Sequence, residues 1–196
     1  MKATNLFVAA ALSLGALMAA TQASAQGMRG FYIGGSVGQS DADDGNAIPD
    51  LISSGPVDGK DSGMKFFGGY QFNQNLAVEV AYVDLGKATY SGTFGGSPVT
   101  GGSVKTSGFN ASVVGTLPLN PSFSLFAKAG MFSWEAKARD ITGGTPFSGK
   151  EDGGDLSFGF GGAYNLTKNF SLRAEWEQFE AVDKISLLSV GVAYKF

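Results

Sequence analysis

Asp155-Leu156-Ser157-Phe158-Gly159-Phe160-Gly161-Gly162-Ala163-Tyr164-Asn165-Leu166 alternates with a period of two. Successive side chains of an extended chain point to opposite sides. Leu156, Phe158, Phe160, Gly162, Tyr164 and Leu166 therefore share one face, and Ser157, Gly159, Gly161, Ala163 and Asn165 share the other. One face is large and apolar; the other is small and polar. Working outward, the same split recurs in Leu76–Tyr82, where Leu76, Val78, Val80 and Tyr82 oppose Ala77, Glu79 and Ala81. Phe170, Leu172, Ala174 and Trp176 oppose Ser171, Arg173, Glu175 and Glu177. Leu188, Val190, Val192, Tyr194 and Phe196 oppose Leu187, Ser189, Gly191, Ala193 and Lys195. In 64–72, Lys65 and Phe67 fall on the face opposite Met64 and Phe66.

A soluble sandwich also alternates, with one face buried and one wet. Here the polar face is small (Gly, Ala, Ser, Asn) with a few charges, which suits the inside of a narrow barrel. The other face is large and carries aromatics near the strand ends, which suits lipid and its interfaces. The fold class expected is all-β, an eight-stranded antiparallel up-and-down transmembrane β-barrel. Strands are expected near 30–40, 62–72, 76–87, 104–117, 123–137, 154–165, 170–181 and 185–196. Tight links at Asn73-Gln74-Asn75, Pro118 to Ser122 and Thr167-Lys168-Asn169 alternate with long ones near 41–61, 88–103 and 138–153. That is the rhythm of outer-membrane barrels, with short periplasmic turns and longer external loops. The seventh link, Val182-Asp183-Lys184, is short where a long one is expected. Ten strands would result if the first long link hid a hairpin.

Composition removes competing classes. Gly contributes 30 of 196 residues, about twice the usual share, while charged residues are only 16% against ~25% in soluble domains. The chain has no cysteine, hence no disulfide framework, thiolate metal site or Cys nucleophile. It has no histidine, the commonest general base and metal ligand. Net charge is −3 with no basic run, so nucleic acid is not an expected partner. No enzyme activity, cofactor or metal is expected.

Residues 1–25 read as a secretory signal peptide. Lys2 supplies the positive start, Leu6 to Ala20 the apolar run, and Ala23-Ser24-Ala25 the cleavage site. The run of 15 residues is shorter than the ~18–20 a spanning helix needs. The barrel domain is then 26–196, with net charge −4 once Lys2 is removed.

Gly30-Phe31-Tyr32-Ile33-Gly34-Gly35-Ser36-Val37-Gly38 resembles the first strand of the small outer-membrane β-barrel family, which includes the transmembrane domain of outer membrane protein A. Asn75–Tyr82 is similar to that family's third strand, Lys128-Ala129-Gly130 to its fifth and Leu172–Trp176 to its seventh. Gly191-Val192-Ala193-Tyr194-Lys195-Phe196 ends on an aromatic, as the family's assembly signal does. The resemblance implies insertion into the Gram-negative outer membrane by the barrel-assembly machinery, with Gly191, Tyr194 and Phe196 as the signal. It also implies outer-membrane lipid and lipopolysaccharide as neighbours. With nothing after Phe196, the family's peptidoglycan-binding domain is expected to be absent, and cell-wall tethering does not transfer.

On this face assignment Lys65, Glu79, Lys128, Arg173, Glu175 and Glu177 point inward. Charges confined there must be paired or wetted. They form either a structural ion-pair plug, a ring of alternating sign crossing the lumen, or a gated polar path. Other constellations fail. Gly144–Lys150 fits the start of a phosphate loop, but Glu151 stands where Ser or Thr is needed. Asp41–Asn46 approaches a calcium loop, but its Gly is one place early and Ile52 stands where Glu is required. Two functions remain. One is a structural and surface-interaction barrel serving envelope integrity, adhesion or shielding, with a host or surface ligand held by the long loops. The other is a narrow porin-like channel for ions or small polar solutes.

Overall fold

The computed structural model describes residues 29–42, 52–53, 57–58, 60–94, 97–142, 145–180 and 184–196. The expected signal segment and most of the acidic stretch after Asp41 lie outside them. Eight long strands make the wall: β1 (Gly30–Ala42), β2 (Lys60–Asn73), β3 (Leu76–Phe94), β4 (Ser97–Pro118), β5 (Phe123–Thr142), β6 (Thr145–Asn165), β7 (Phe170–Glu180) and β8 (Lys184–Lys195). Each pairs antiparallel with the next, and β1 pairs with β8 from Tyr32↔Lys195 to Ala42↔Ile185. The sheet closes on itself, so within lipid every backbone donor and acceptor finds a partner in the wall. Two short pieces, Ile52–Ser53 and Val57–Asp58, pair with the far end of β3 and add no strand to the barrel. The count is eight, not ten.

One end carries the tight turns, and polar side chains close them. Asn120 Oδ1 accepts from the backbone N–H of Ser122 and Phe123, both at 2.9 Å. Thr167 Oγ1 accepts from the N–H of Phe170 at 3.0 Å. On the outer wall Phe31, Phe66, Phe109, Leu156, Phe160, Leu188 and Val190 are each more than three-fifths exposed. Such a band is stable only against lipid. Aromatic pairs line its lower rim, including Phe31–Tyr70 at 4.9 Å and Phe170–Tyr194 at 4.9 Å. Tyr82–Phe109, at 5.4 Å, lies farther up.

The links expected at 88–103 and 138–153 are not loops. β3 pairs with β4 as far as Phe94↔Ser97, and β5 with β6 as far as Thr142↔Thr145. Above the lipid there is no apolar surrounding to demand an apolar face. The alternation therefore fades while the backbone pairing continues. β7 pairs with β6 only from Ser157 downward. Among the described residues, β3 to β6 consequently stand beyond the rest of the wall as a four-stranded sheet. The phosphate-loop look-alike at Gly144–Lys150 falls largely within β6, a strand rather than the expected loop.

β3 changes register where it leaves the lipid band, between Asp84↔Ser107 and Lys87↔Lys105. The extra residue is absorbed at Gly86, whose φ of +76° strains any residue with a Cβ. Asp84 Oδ1 accepts from Gly86 N–H at 3.0 Å, and Asp61 Oδ2 accepts from Lys87 N–H at 2.7 Å. The Lys87 N–H, together with the Ser62 N–H 2.7 Å from Oδ1, holds the Asp61 carboxyl below the usual carboxylate range.

Candidate functional site

Inward parity brings Lys65 from β2, Glu79 from β3, Lys128 from β5, and Arg173, Glu175 and Glu177 from β7 into one cluster at the middle of the lumen. All six are at least nine-tenths buried. Lys65 bridges Glu175 and Glu177. Lys128 Nζ is the hub, 2.6 Å from Glu177 Oε1, 3.0 Å from Glu175 Oε2 and 3.4 Å from Glu79 Oε1. Arg173 Nη1 donates to Glu79 Oε2 at 2.8 Å, and Nη2 to Glu175 Oε2 at 3.3 Å. Three cations meet three carboxylates, so the cluster is neutral. Its geometry is a hub and two bridges, not a simple ring.

Tyr32, Phe67 and Phe126 complete it, and face reading alone did not single them out. The Tyr32 hydroxyl donates to Glu79 Oε2 at 3.1 Å. Phe67 and Phe126 sandwich the Arg173 guanidinium, each ring centroid 4.5 Å from Cζ. Such stacking stabilises a desolvated cation while leaving its in-plane donors for the carboxylates. Space for these side chains comes from bare backbone on the neighbouring strand. A Cβ on Gly161 would lie 2.7 Å from the Phe126 ring, and one on Gly159 2.8 Å from Glu177 Cγ.

Toward the long hairpins the filling turns apolar. Val83, Phe132, Phe179 and Leu187 are fully buried, with Leu85, Trp134 and Ile185 packed around them. The Phe132 and Phe179 rings are 4.7 Å apart. Trp134 donates from Nε1 to Asp155 Oδ2 at 2.8 Å, which satisfies its polar atom. This corrects the expectation of a small, polar inner face. The signal was in the sequence: Phe132, Trp134 and Phe179 hold inward parity, at the strand ends away from the tight turns. On the tight-turn side, by contrast, the lumen opens into a vestibule of about 810 Å³ lined by Tyr32, Gln71, Thr116, Ser171, Arg173 and Lys195 among others.

The last strand's Gly191 faces Ser36 of β1 and Arg173 of β7 across the ladder. Tyr194 meets Phe170 edge to face, and the Phe196 ring packs 5.1 Å from Tyr194, also edge to face, with two-thirds of the residue's surface exposed. The Phe196 N–H donates to Phe31 O at 3.0 Å.

A closed eight-stranded wall, an oily outer band and a filled lumen define a small membrane-spanning β-barrel. Residues 7–196 match the model of the outer membrane protein beta-barrel domain, and the chain belongs to that family. It is 27% identical over 176 residues to outer membrane protein A of Shigella flexneri, covering 85% of this chain and 48% of that protein. Outer membrane protein A of Klebsiella pneumoniae is 26% identical over 181 residues. The chain spans about half the length of these curated relatives. Its fold is similar to that of Ail, the attachment invasion locus protein of Yersinia pestis (TM-score 0.58, 22% identity, 86% of this chain and 100% of that one). Neisserial surface protein A gives a TM-score of 0.57 at 19% identity, covering 85% and 97%. These relatives are Gram-negative outer-membrane proteins, which supports the same location here. In such barrels the short turns face the periplasm.

Proposed function

We propose that this chain is a sealed outer-membrane barrel with a structural and surface-directed role. It maintains the envelope and presents the sheet of β3 to β6 for adhesion or shielding. One observation carries the reading: the lumen is closed twice in series, by the ion-pair cluster and then by the Phe132, Phe179 and Leu187 layer. An ion would have to displace both. Attachment, which is in the name of Ail, fits a sheet raised above the lipid. The outer band meets outer-membrane lipid and lipopolysaccharide. Gly191, Tyr194 and Phe196 act as the signal for the barrel-assembly machinery, and residues 1–25 are the export signal removed on the way.

Planar-bilayer conductance separates this role from the porin-like channel. The wild type and Arg173→Ala are expected to stay closed, because the apolar layer still seals. Arg173→Ala combined with Phe179→Ala is expected to conduct. Steady wild-type conductance would replace the structural reading with the channel. Trimming the β5–β6 hairpin beyond the lipid should abolish surface attachment while leaving barrel folding intact.

A further inference from the structure

The raised sheet of β3 to β6 has two edges, and the chain treats them differently. Beyond Met64↔Asp84 β3 loses β2 as its neighbour, and the pieces Ile52–Ser53 and Val57–Asp58 pair along it instead. At the other edge β6 pairs with β7 only from Ser157 downward. Thr145 to Leu156 of β6 therefore have a partner strand on one side only among the described residues. Extended, that stretch runs for about 40 Å. It is also regular: β6 pairs with β5 from Thr142↔Thr145 to Phe123↔Tyr164 without a register shift, whereas the β3–β4 and β4–β5 ladders are interrupted. In such a strand alternate N–H and C=O groups point sideways, away from β5. Exposed edges are ordinarily shortened, bulged or covered; this one is long and even, with Pro146 only near its outer end. Its side chains carry one cation, Lys150, against Glu151, Asp152 and Asp155. Glu135 holds Lys150 at 2.5 Å, so Asp152 acts on that ammonium only at longer range, and Asp155 accepts from Trp134. Glu151 and Asp152 are exposed and make no salt bridge among the described residues.

We propose that the open edge of β6 docks an extended, basic segment of a partner protein as an added strand. The proposal rests on the surface-directed role and names what the raised sheet holds. Main-chain hydrogen bonds to the edge supply affinity whatever the partner's sequence, and alternate side chains supply preference. On one face the added strand meets Asp152; on the other it meets Glu151, which stands between Gly149 and Gly153 with no side chain at either to shield it. Opposite charges on neighbouring strands stabilise the pair, and like charges destabilise it. A second copy of this edge would bring the same excess of carboxylate, so the stretch favours a basic segment over self-pairing.

The test follows amide hydrogen exchange of isotope-labelled protein refolded into phosphatidylcholine nanodiscs, which carry no net charge. The probe is a short peptide of alternating Lys and Val. It is compared with a Glu–Val peptide, and with a Lys–Pro peptide of the same charge that lacks the donors to pair as a strand. Only the Lys–Val peptide is expected to protect β6, and at every second amide, because only the donors pointing away from β5 gain a partner. Glu151→Gln with Asp152→Asn should weaken the apparent affinity by roughly fivefold, while Asp41→Asn on β1 should leave it unchanged. Of Glu151→Pro and Asp152→Pro, one removes a donor to β5 and the other a donor to the open edge. The variant that keeps β5–β6 protection should lose binding. Heat-dependent gel migration checks that each variant's barrel is folded. Alternate protection already present without peptide would give the edge to the chain itself or, where it rises with protein concentration, to a second copy, and would overturn the proposal. So would no protection by the Lys–Val peptide, equal binding of the Lys–Pro peptide, or binding that survives both proline variants. Should surface attachment still depend on the β5–β6 hairpin in those cases, the surface role stands and only the edge is lost.

Discussion

Glu177 and Phe179 sit two positions apart on β7, both inward and both almost wholly buried. Glu177 meets Lys65 and Lys128, whereas Phe179 meets the ring of Phe132. One step along the lumen thus changes the filling from charge to hydrocarbon. The two layers hold the barrel by different physics. Each charge in the lower layer is tolerable only through its partners, because an unpaired ion in a confined interior is costly. Each apolar side chain in the upper layer is held by volume alone, and no single neighbour is essential to it. The lower layer therefore has specificity and fragility; the upper layer has robustness.

The largest effects should be alike in size and opposite in kind. Arg173→Ala leaves Glu79 with Lys128 and Tyr32 only, and should cost about 3–5 kcal/mol. Phe179→Ala opens a cavity beside Phe132 and should cost about the same, ~3–5 kcal/mol. Only the first is rescued from within: adding Glu79→Gln to Arg173→Ala should recover part of the loss. Urea unfolding in lipid vesicles, run as a double-mutant cycle, measures this. A cycle with no coupling between Arg173 and either Glu79 or Glu175 would make the lower layer a set of independent, wetted charges and erase the contrast. A smaller effect probes the tolerance of the upper layer. Leu187→Met keeps volume and polarity and should cost less than about 1.5 kcal/mol. A larger loss in the same assay would show a layer packed as exactingly as the charges below it.

The smallest effect lies outside the lumen. On the raised sheet Glu135 accepts from Lys137 at 2.6 Å and Lys150 at 2.5 Å. Those two ammonium groups lower its carboxyl to a pKa of about 2. A depressed acid contributes stability above its unfolded value, ~4.5, and loses it as pH falls through the folded one. Stability attributable to Glu135 should fade from near pH 4.5 down to about 2. Because the group is exposed, salt should screen it at any pH. Comparing Glu135→Gln with wild type across pH at low and high salt checks this. A difference that persists in high salt would mean that the pair is more than a surface contact.

Much of this was legible in the chain. Period-two alternation in 155–166 and 187–196 sets the strands, and the six charges follow from parity alone: Lys65, Glu79, Lys128, Arg173, Glu175 and Glu177 all occupy the inward face. The tight turns were legible because Asn120 and Thr167 are residues that close turns with their own side chains. The long hairpins were not. Beyond the lipid, residues 88–103 are rich in Gly, Ser and Thr, so a paired ribbon and a loop read alike. Phe132 and Phe179 were also passed over, because apolar residues at inward positions look like noise against a polar pattern.

What the sequence by itself determined is which side of the wall each residue faces, since a strand has only two sides and lipid tolerates only one kind of surface. What only the tertiary structure decided is who meets whom inside. Partners in the lumen come from strands far apart in the chain, as Lys65 and Glu177 do, and their meeting depends on strand register and on the backbone space that residues such as Gly159 leave open. Parity carries no information on either, so alternation could place a charge in the lumen without choosing its counter-ion.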